Sequence, residues 1–286
     1  MNSEKRKETN ISSSSQSSSS SLVVTIMAAG EGKRMNSGGI PKVLCLFNGL
    51  PMLVRIVFEV IELSPAKIII VTSNKYHDMI VETIGKMQIL YNSQNSQNSQ
   101  NLTLHVLDKI EFVKQGDPRG TANAIYMTLD KYADDDQVLI LNGDMPAITS
   151  STLKEFINDS FFFPASLLVA QIDNPFGYGR VVCCKHYHGD EVLYIREEKD
   201  CNEEERLVNI INAGIYLFSG EILKKYIPMI DCDNKQNEYY LTDIVKMITM
   251  TSSDIEVRKF EINPSKIHEI LGVNTQEELK KLEMLV

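Results

Sequence analysis

The stretch Leu22-Val23-Val24-Thr25-Ile26-Met27-Ala28-Ala29-Gly30-Glu31-Gly32-Lys33-Arg34-Met35, followed by Pro41-Lys42-Val43-Leu44, joins an apolar strand to a glycine-rich turn with cations behind it. Apolar and β-branched residues ending in Ala-Ala-Gly predict a central strand of a parallel sheet, and such sheets bind ligands beyond the carboxyl ends of their strands. Gly30 and Gly32 lack a Cβ, so backbone N–H groups there can face one anion together, while Arg34 and Lys42 add two cations at the same mouth. Phosphate is the anion that suits this chemistry. Two common phosphate loops are excluded. A dinucleotide fingerprint needs a third glycine where Met35 stands, and a Walker A loop needs Ser or Thr where Arg34 follows Gly32-Lys33.

Working outward, the chain alternates. Leu22 to Met27 is a first strand, Pro51 opens a helix running to Leu63, and Lys67 to Ser73 is a second apolar strand, which together make a βαβ unit. Further on come a strand near Glu111 to Lys114, a helix from Thr121 to about Tyr132, and the strand Gln137 to Leu141 ending at Asn142-Gly143-Asp144. The sheet is therefore expected to be chiefly parallel. From Ser166 onward strands and turns dominate, with Gly179 to Tyr187 and Glu191 to Arg196 forming a hairpin around Gly189-Asp190. This half is expected to carry a second substrate.

The 286 residues are 43% hydrophobic and 23% charged, enough apolar content for a sizeable core in one large or two small domains. A formal charge of -9 argues against general nucleic-acid binding, which rests on many Lys and Arg contacts to phosphate. No apolar run approaches the roughly 18 residues that span a bilayer, and the N-terminus is polar. The expected location is cytoplasmic, with no membrane partner. Five cysteines without a C-x-x-C pair fit neither a disulfide framework nor a zinc site. Residues 1–21 are Ser-rich and bury too little apolar surface to order, so a disordered tail is expected there, followed by one domain over 22–286. The Asn-Ser-Gln repeat at 92–101 is expected to be a low-complexity loop insertion.

Several residues carry two readings. Asp144 follows an apolar strand and emerges at the same edge as the Gly30 loop, where it is either a metal ligand or a strand-end turn residue. Asn274 either caps a helix over Thr275 to Leu285 or offers an amide oxygen beside Asp144 to Mg²⁺, which needs only one or two protein ligands besides phosphate and water. In Gln115-Gly116-Asp117-Pro118-Arg119-Gly120-Thr121, Thr121 is an ordinary N-cap, or the Gln115 amide and the Gly120 backbone read a base. Gly177-Tyr178-Gly179-Arg180 is a turn, or a place where main chain approaches a ligand.

The Ala-Ala-Gly-x-Gly-x-Arg-Met signature followed by Pro-Lys resembles that of sugar-phosphate nucleotidyltransferases. From Val23 to the C-terminus the chain looks like the N-terminal uridyltransferase domain of the bacterial bifunctional N-acetylglucosamine-1-phosphate uridyltransferases. The segments that carry the likeness, in the same order, are Gln115 with Gly120-Thr121, Gly143-Asp144, Gly177 to Arg180, Arg196-Glu197-Glu198-Lys199-Asp200, Asn212-Ala213-Gly214, Glu238-Tyr239-Tyr240-Leu241-Thr242-Asp243 and Gly272-Val273-Asn274. The resemblance implies an α/β, Rossmann-like nucleotidyltransferase fold with a mixed, mostly parallel central sheet. It implies that UTP and N-acetylglucosamine 1-phosphate yield UDP-N-acetylglucosamine and pyrophosphate, with Mg²⁺ as cofactor. By the same resemblance Arg34, Lys42 and Asp144 are catalytic, and Met27, Ala28, Ala29, Gly30, Lys42, Gln115, Gly120, Thr121, Asn142 and Gly143 bind the nucleotide. Gly179, Glu197, Asn212 and Tyr239 are expected to hold the sugar, and Asp144 with Asn274 the metal.

There are departures from the bacterial pattern. The Arg34 to Lys42 spacing is one residue longer, with Gly38-Gly39 absorbing it; Lys33 replaces a usual threonine; and Ala122-Asn123 replaces a Gly-His or Ala-His pair. No hexapeptide repeats of an acetyltransferase domain occur, so uridylyl transfer alone, by a monomer or weak dimer, is expected. The rivals are a nucleotidyltransferase for another sugar 1-phosphate and a non-catalytic sugar-nucleotide sensor. The joint presence of Arg34, Lys42, Asp144 and Asn274 argues against a sensor.

Overall fold

The computed structural model describes residues 20–30, 32–35, 38–87, 108–186 and 189–286. Glu31, residues 1–19 of the Ser-rich segment and the repeat at 92–101 lie outside the described residues. Along β1 (Leu22–Ala28) side chains alternate between two apolar layers, Val24, Ile26 and Ala28 entering one while Val23 enters the other. The same alternation divides β4 (Lys67–Thr72) into Ile68 and Ile70 against Ile69 and Val71. It divides β6 (Gln137–Asn142) into Leu139 and Leu141 against Val138 and Ile140. Strands covered on both faces must be apolar on both, which is why these runs show no polar alternation.

Helices α1 (Met52–Ile61), α2 (His77–Gly85) and α4 (Ser150–Ser160) cover the first layer. The second is covered by α3 (Thr121–Tyr126), α6 (Gly220–Tyr226) and α7 (Asp243–Thr251). Between them seven strands run in the order β11 (Val257–Glu261), β7 (Ala165–Gln171), β10 (Ile210–Ser219), β6, β1, β4 and β5 (Ile110–Lys114). Every adjacent pair is parallel except the two that β10 makes, with β6 and with β7. An antiparallel hairpin of β8 (Arg180–His186) and β9 (Gly189–Arg196) joins the edge of β10 through the pair Ile211 and Arg180. The expected mixed, mostly parallel sheet is the one observed. Its register sets Ala28 beside Thr72, Thr72 beside Lys114 and Met27 beside Asn142, so four parallel strands end at one edge. Among the described residues no helix is long and apolar enough to cross a membrane, and all five cysteines are free.

Several element boundaries differ from expectation. α3 stops at Tyr126 instead of Tyr132, because the Thr128 hydroxyl and N–H both turn back to the Ile125 carbonyl, at 2.7 and 2.9 Å; a 3₁₀ turn at Leu129–Lys131 follows. Pro51 precedes α1 in the N-cap position, as the second residue of the two-residue β3 (Leu50–Pro51), whose partner is β2 (Leu46–Phe47). Gly189 and Asp190 belong to β9, paired with His186 and Lys185, so they are not the hairpin's turn. The last helix, α8 (Gln276–Glu283), buries Leu279 and Leu282 against Met35, Phe47 and Val273, while Leu285 lies beyond it and is exposed.

One polar cluster crosses the second layer. Thr25, in the middle of β1, pairs its hydroxyl with Tyr132 Oη at 2.8 Å, and Thr128 Oγ1 meets the same oxygen at 2.6 Å. Burial pushes the Tyr132 phenol up to about 12 despite these bonds. Tyr132→Phe takes away the partner of the wholly buried Thr25 hydroxyl, and leaving such a group unpaired costs about 1–3 kcal/mol. Urea denaturation should show a loss of that size, and Thr25→Val in the same background should recover part of it; an unchanged midpoint for Tyr132→Phe would refute the assignment.

Candidate active site

The loop after β1 is built to seat one lysine. Gly32 has φ +60° and lies so close to Lys42 that an added Cβ would overlap the lysine's own Cβ, so only glycine fits here. Lys42 starts a short 3₁₀ turn behind Pro41 and is 9% exposed. Its ammonium forms an ion pair with the Asp144 carboxylate and donates to Asn274 Oδ1 at 3.0 Å. An ammonium that has lost most of its water needs such oxygens.

Both acceptors are placed by backbone bonds. Gly143 N–H donates to the Met27 carbonyl at 2.9 Å, and a Cβ at Gly143 would come within 3.1 Å of that oxygen, so the turn that carries Asp144 hugs the end of β1. Val273 N–H donates to the Asp144 carbonyl at 2.9 Å, which brings the neighbouring Asn274 alongside. Asn274 is not the cap of α8. Thr275 is the cap, in a reciprocal box with Glu278, and this leaves the Asn274 side chain for Lys42.

Two cavities, each of about 790 Å³ of open space, meet at this point. Met27, Thr121, Asn142 and Asp144 line both. The loop-side cavity adds Ala29, Gly30, Lys42, Gln115 and Gly120, so eight of the ten residues expected to hold a nucleotide line it. Ala28 and Gly143 are not in its wall: Ala28 points into the first apolar layer, and Gly143 has its N–H occupied by Met27. The second cavity receives Gly179, Glu197 and Asn212 together with Asn274. Tyr239 is not brought there. It lines a separate cleft with Arg119, Tyr126 and Ile230. Arg34 is exposed on the turn Lys33–Met35 and is absent from the walls of both cavities.

Tyr239 serves the loop-side cavity through its backbone. Its N–H donates to the Arg119 carbonyl at 2.7 Å, and its own carbonyl accepts from Ala122 N–H at 2.8 Å. Gly120, at φ +113°, lies against this peptide, and a Cβ would overlap the Tyr239 carbonyl. Thr121 is not the N-cap either; its hydroxyl accepts from Leu241 N–H at 2.9 Å. Gln115 donates to the Gly120 carbonyl at 2.9 Å, closing the loop on itself. Residues 238–242 thus form a strap, with Glu238 in one cavity and Leu241 and Thr242 in the other.

A bulge shapes the second cavity. The β10 register shifts between Asn212 and Tyr216, where Gly214 has φ +74° and Asn142 Nδ2 sits 2.5 Å from where a Cβ would be. Asn212 holds the bulge, accepting from Gly214 N–H at 3.2 Å and donating to Tyr216 Oη at 2.6 Å. Opposite, Arg180, 2% exposed, pairs with Glu198 at 2.7 Å and donates to the Tyr178 carbonyl. Glu198 also pairs with Arg206, in the short α5 (Glu203–Arg206), and accepts from Gly177 N–H at 3.0 Å. The Gly177 to Gly179 loop is thereby clamped at the cavity rim. Tyr178, Tyr216 and Thr242 line this cavity and were not expected there; Tyr178 and Thr242 stand within the quoted Gly177 to Arg180 and Glu238 to Asp243 segments, and of the three only Tyr216 left no trace in the sequence.

Burial holds the Glu197 carboxyl above the ordinary carboxylate range, with Asp243, Asp200 and Glu238 adding to the shift. The Thr242 hydroxyl, donating to Glu197 Oε1 at 2.9 Å, opposes it. Asp243 is raised as well, by burial and by Asp231. The second cavity is therefore walled by an acid that binds hydrogen-bond donors well and disfavours further negative charge. Among the described residues no three His, Cys, Asp or Glu side chains gather as a metal site. The oxygen pair of Asp144 and Asn274, already converging on one cation, is the donor set suited to a hard divalent ion that keeps most of its ligands from substrate and water.

Two outcomes test this geometry. Gly120→Ala must strain the left-handed backbone and push the Tyr239 peptide away, so a loss of about 1–3 kcal/mol is expected in urea melts, and an unaltered midpoint would refute the close approach. For Glu197, a folded pKa above the unfolded 4.5 means that its contribution to stability is fully present below that value and is lost as pH rises through the folded pKa. Glu197→Gln is therefore expected to be more stable than the native chain at pH 7–8, an advantage that fades toward pH 4. Equal stability across that range would overturn the assignment.

Residues 23–261 match the family model described as Nucleotidyl transferase. The chain is 37% identical to a protein of Acanthamoeba polyphaga mimivirus named "Probable UDP-N-acetylglucosamine pyrophosphorylase", over 91% of this chain and 94% of that one. It is 36% identical to the "Bifunctional protein GlmU" of Nitratiruptor sp., over 92% of this chain, and spans 53% of that protein's length. A UDP-glucose pyrophosphorylase solved with UDP-glucose superposes with a TM-score of 0.67 at 16% identity, covering 92% of this chain and 97% of its own, a likeness of fold. Because that family model spans most of the chain and the sheet agrees with it, the chain belongs to the nucleotidyl transferase family.

Proposed function

We propose that the protein joins UTP to N-acetylglucosamine 1-phosphate, forming UDP-N-acetylglucosamine and releasing pyrophosphate. The observation that supports this most directly is the pair of cavities meeting at Lys42, Asp144 and Asn274. One is bordered by the glycine loop, the other by an acid and amides suited to a polyol. The near full-length likeness to the mimivirus pyrophosphorylase supports the choice of sugar.

In this reading an oxygen of the sugar phosphate attacks the α-phosphorus of UTP in line. The new P–O bond forms as the bond to the β-phosphate oxygen breaks, and pyrophosphate carries off the electron pair. The nucleophile is already an anion, so no covalent enzyme intermediate is required, and catalysis rests on positioning and charge stabilisation. The uridine faces Gln115, Gly120 and Thr121, with Met27, Ala29, Gly30 and Asn142 forming the bed beneath it. Lys42 meets charge at the reacting phosphates. Arg34, exposed on its turn, is free to reach the outer phosphates. Glu197, with its raised proton affinity, accepts from sugar hydroxyls or the amide, while Asn212 and the main chain at Gly179 border the ring. Asp144 and Asn274 are the residues that would hold Mg²⁺, which when bound neutralises phosphate charge. No chemistry is assigned to residues 1–21 or to the repeat at 92–101, and a monomer or weak dimer suffices because both cavities are lined by one chain.

The test is pyrophosphate release across a matrix of nucleoside triphosphates and sugar 1-phosphates. The highest kcat/KM is expected for UTP with N-acetylglucosamine 1-phosphate, dependence on a divalent cation is expected to be complete, and Asp144→Ala should lose roughly 100- to 1000-fold in rate while remaining folded by circular dichroism. Undiminished turnover in EDTA would exclude the metal, and a clear preference for another sugar phosphate would replace the substrate. Binding of UDP-N-acetylglucosamine without any turnover would leave a sensor.

A further inference from the structure

Three oxygen and nitrogen groups converge where the two cavities join, and their occupancy carries a consequence. The Lys42 ammonium is bound to Asp144 Oδ2 and to Asn274 Oδ1, the two oxygens to which the proposed function gives the metal. From the geometry we infer that Lys42 is a placeholder cation: in the free enzyme its ammonium occupies the divalent-ion position, and it must leave before an ion can bind there. This inference rests on the metal assignment made above.

Three features of the site support it. The side chains of Lys42 and Asp144 are 11% and 20% exposed, so two unscreened cations cannot share that carboxylate cheaply. Lys42 starts from a fixed base, since Gly32 and the 3₁₀ turn hold its Cα and Cβ, while four methylene torsions leave the ammonium able to swing. It also lines the cavity that the phosphates are proposed to enter, so a polyphosphate offers it replacement oxygens within the same space. Lys42 released from Asp144 becomes the phosphate ligand, and the two freed oxygens become the metal ligands. Metal and polyphosphate thus favour each other's binding through one side chain, and linkage makes the effect reciprocal. The arrangement also explains why a partly buried ion pair, a weak source of stability, sits at the centre of the site. It keeps Asp144 and Asn274 in their binding geometry while no ion is present.

The experiment titrates Mn²⁺ alone, as a paramagnetic probe, into the full-length chain without nucleotide or sugar, reading bound metal by electron paramagnetic resonance. Lys42→Met is expected to bind Mn²⁺ roughly tenfold more tightly than the native chain, within the range of typical coupling energies. Lys42→Gln, which keeps a polar head without charge, carries the same expectation where the methionine variant does not fold. Adding Asp144→Asn to either should abolish the gain, which locates the ion. Arg34→Gln removes an exposed positive charge from the same loop, and it should leave Mn²⁺ affinity within about threefold of native. Native-like or weaker Mn²⁺ binding in both folded lysine variants would overturn the placeholder role. An equal gain in Arg34→Gln would also overturn it, in favour of a general field effect. Because no substrate is present, the result is independent of the turnover matrix. A native chain inactive with every sugar phosphate would end the proposed reaction and leave the exchange standing.

Discussion

A single ammonium group ties together stretches of chain that are 102 and 232 residues apart in sequence. Lys42 is held from the first loop, Asp144 from the end of the fourth parallel-sheet strand in the chain, and Asn274 from the segment before the last helix. A charge that has lost most of its water must be met by oxygens, and the surrounding backbone is arranged to supply them. Gly32 gives the lysine room, the Gly143 turn against Met27 aims the carboxylate, and the bond from Val273 to the Asp144 carbonyl delivers the amide. Without that ion pair these three segments would keep their elements but lose their common point.

The two cavities around this point are divided and joined by the strap at 238–242. Its peptide bonds close the Gln115 to Thr121 loop against Gly120, and its Thr242 hydroxyl holds Glu197 across the other cavity. A change in the strap is therefore felt on both sides. The bulge at Gly214 and the clamp of Arg180, Glu198 and Arg206 have a more local effect, fixing Asn212 and the Gly177 to Gly179 loop around the second cavity. Cavity-lining residues come from loops and strand ends, while rigidity comes from the two apolar layers beneath.

Much of this was legible in the chain because it depends on local rules. Continuous apolar runs such as Val138 to Leu141 mark strands covered on both faces, and their ends mark the edge where ligands bind. The helix at Thr121 was legible in its start and not in its end, since the Thr128 bonds to the Ile125 carbonyl compete with helix continuation in a way no periodicity reveals. Asn274 and Thr275 are both good caps by type, and only the reciprocal bonds with Glu278 decide between them. Tyr239 shares a quoted segment with Thr242 but faces elsewhere, because its backbone is spent on Arg119 and Ala122 while its ring turns to a separate cleft.

The sequence by itself determined the layered α/β fold and the glycine-rich, cation-bearing loop after the first strand, since both follow from residue type and near-neighbour spacing, while groups such as Glu197 and Asn212 were named through family resemblance. Tertiary structure alone decided that Lys42, Asp144 and Asn274 share one point, that Gly32 and Gly120 are required by close approach, and that Glu197 is buried among other acids. The reason is physical. Desolvation, the pairing of distant charges and the clash of a missing Cβ with a remote backbone depend on distances in space, which the order of residues along the chain does not contain.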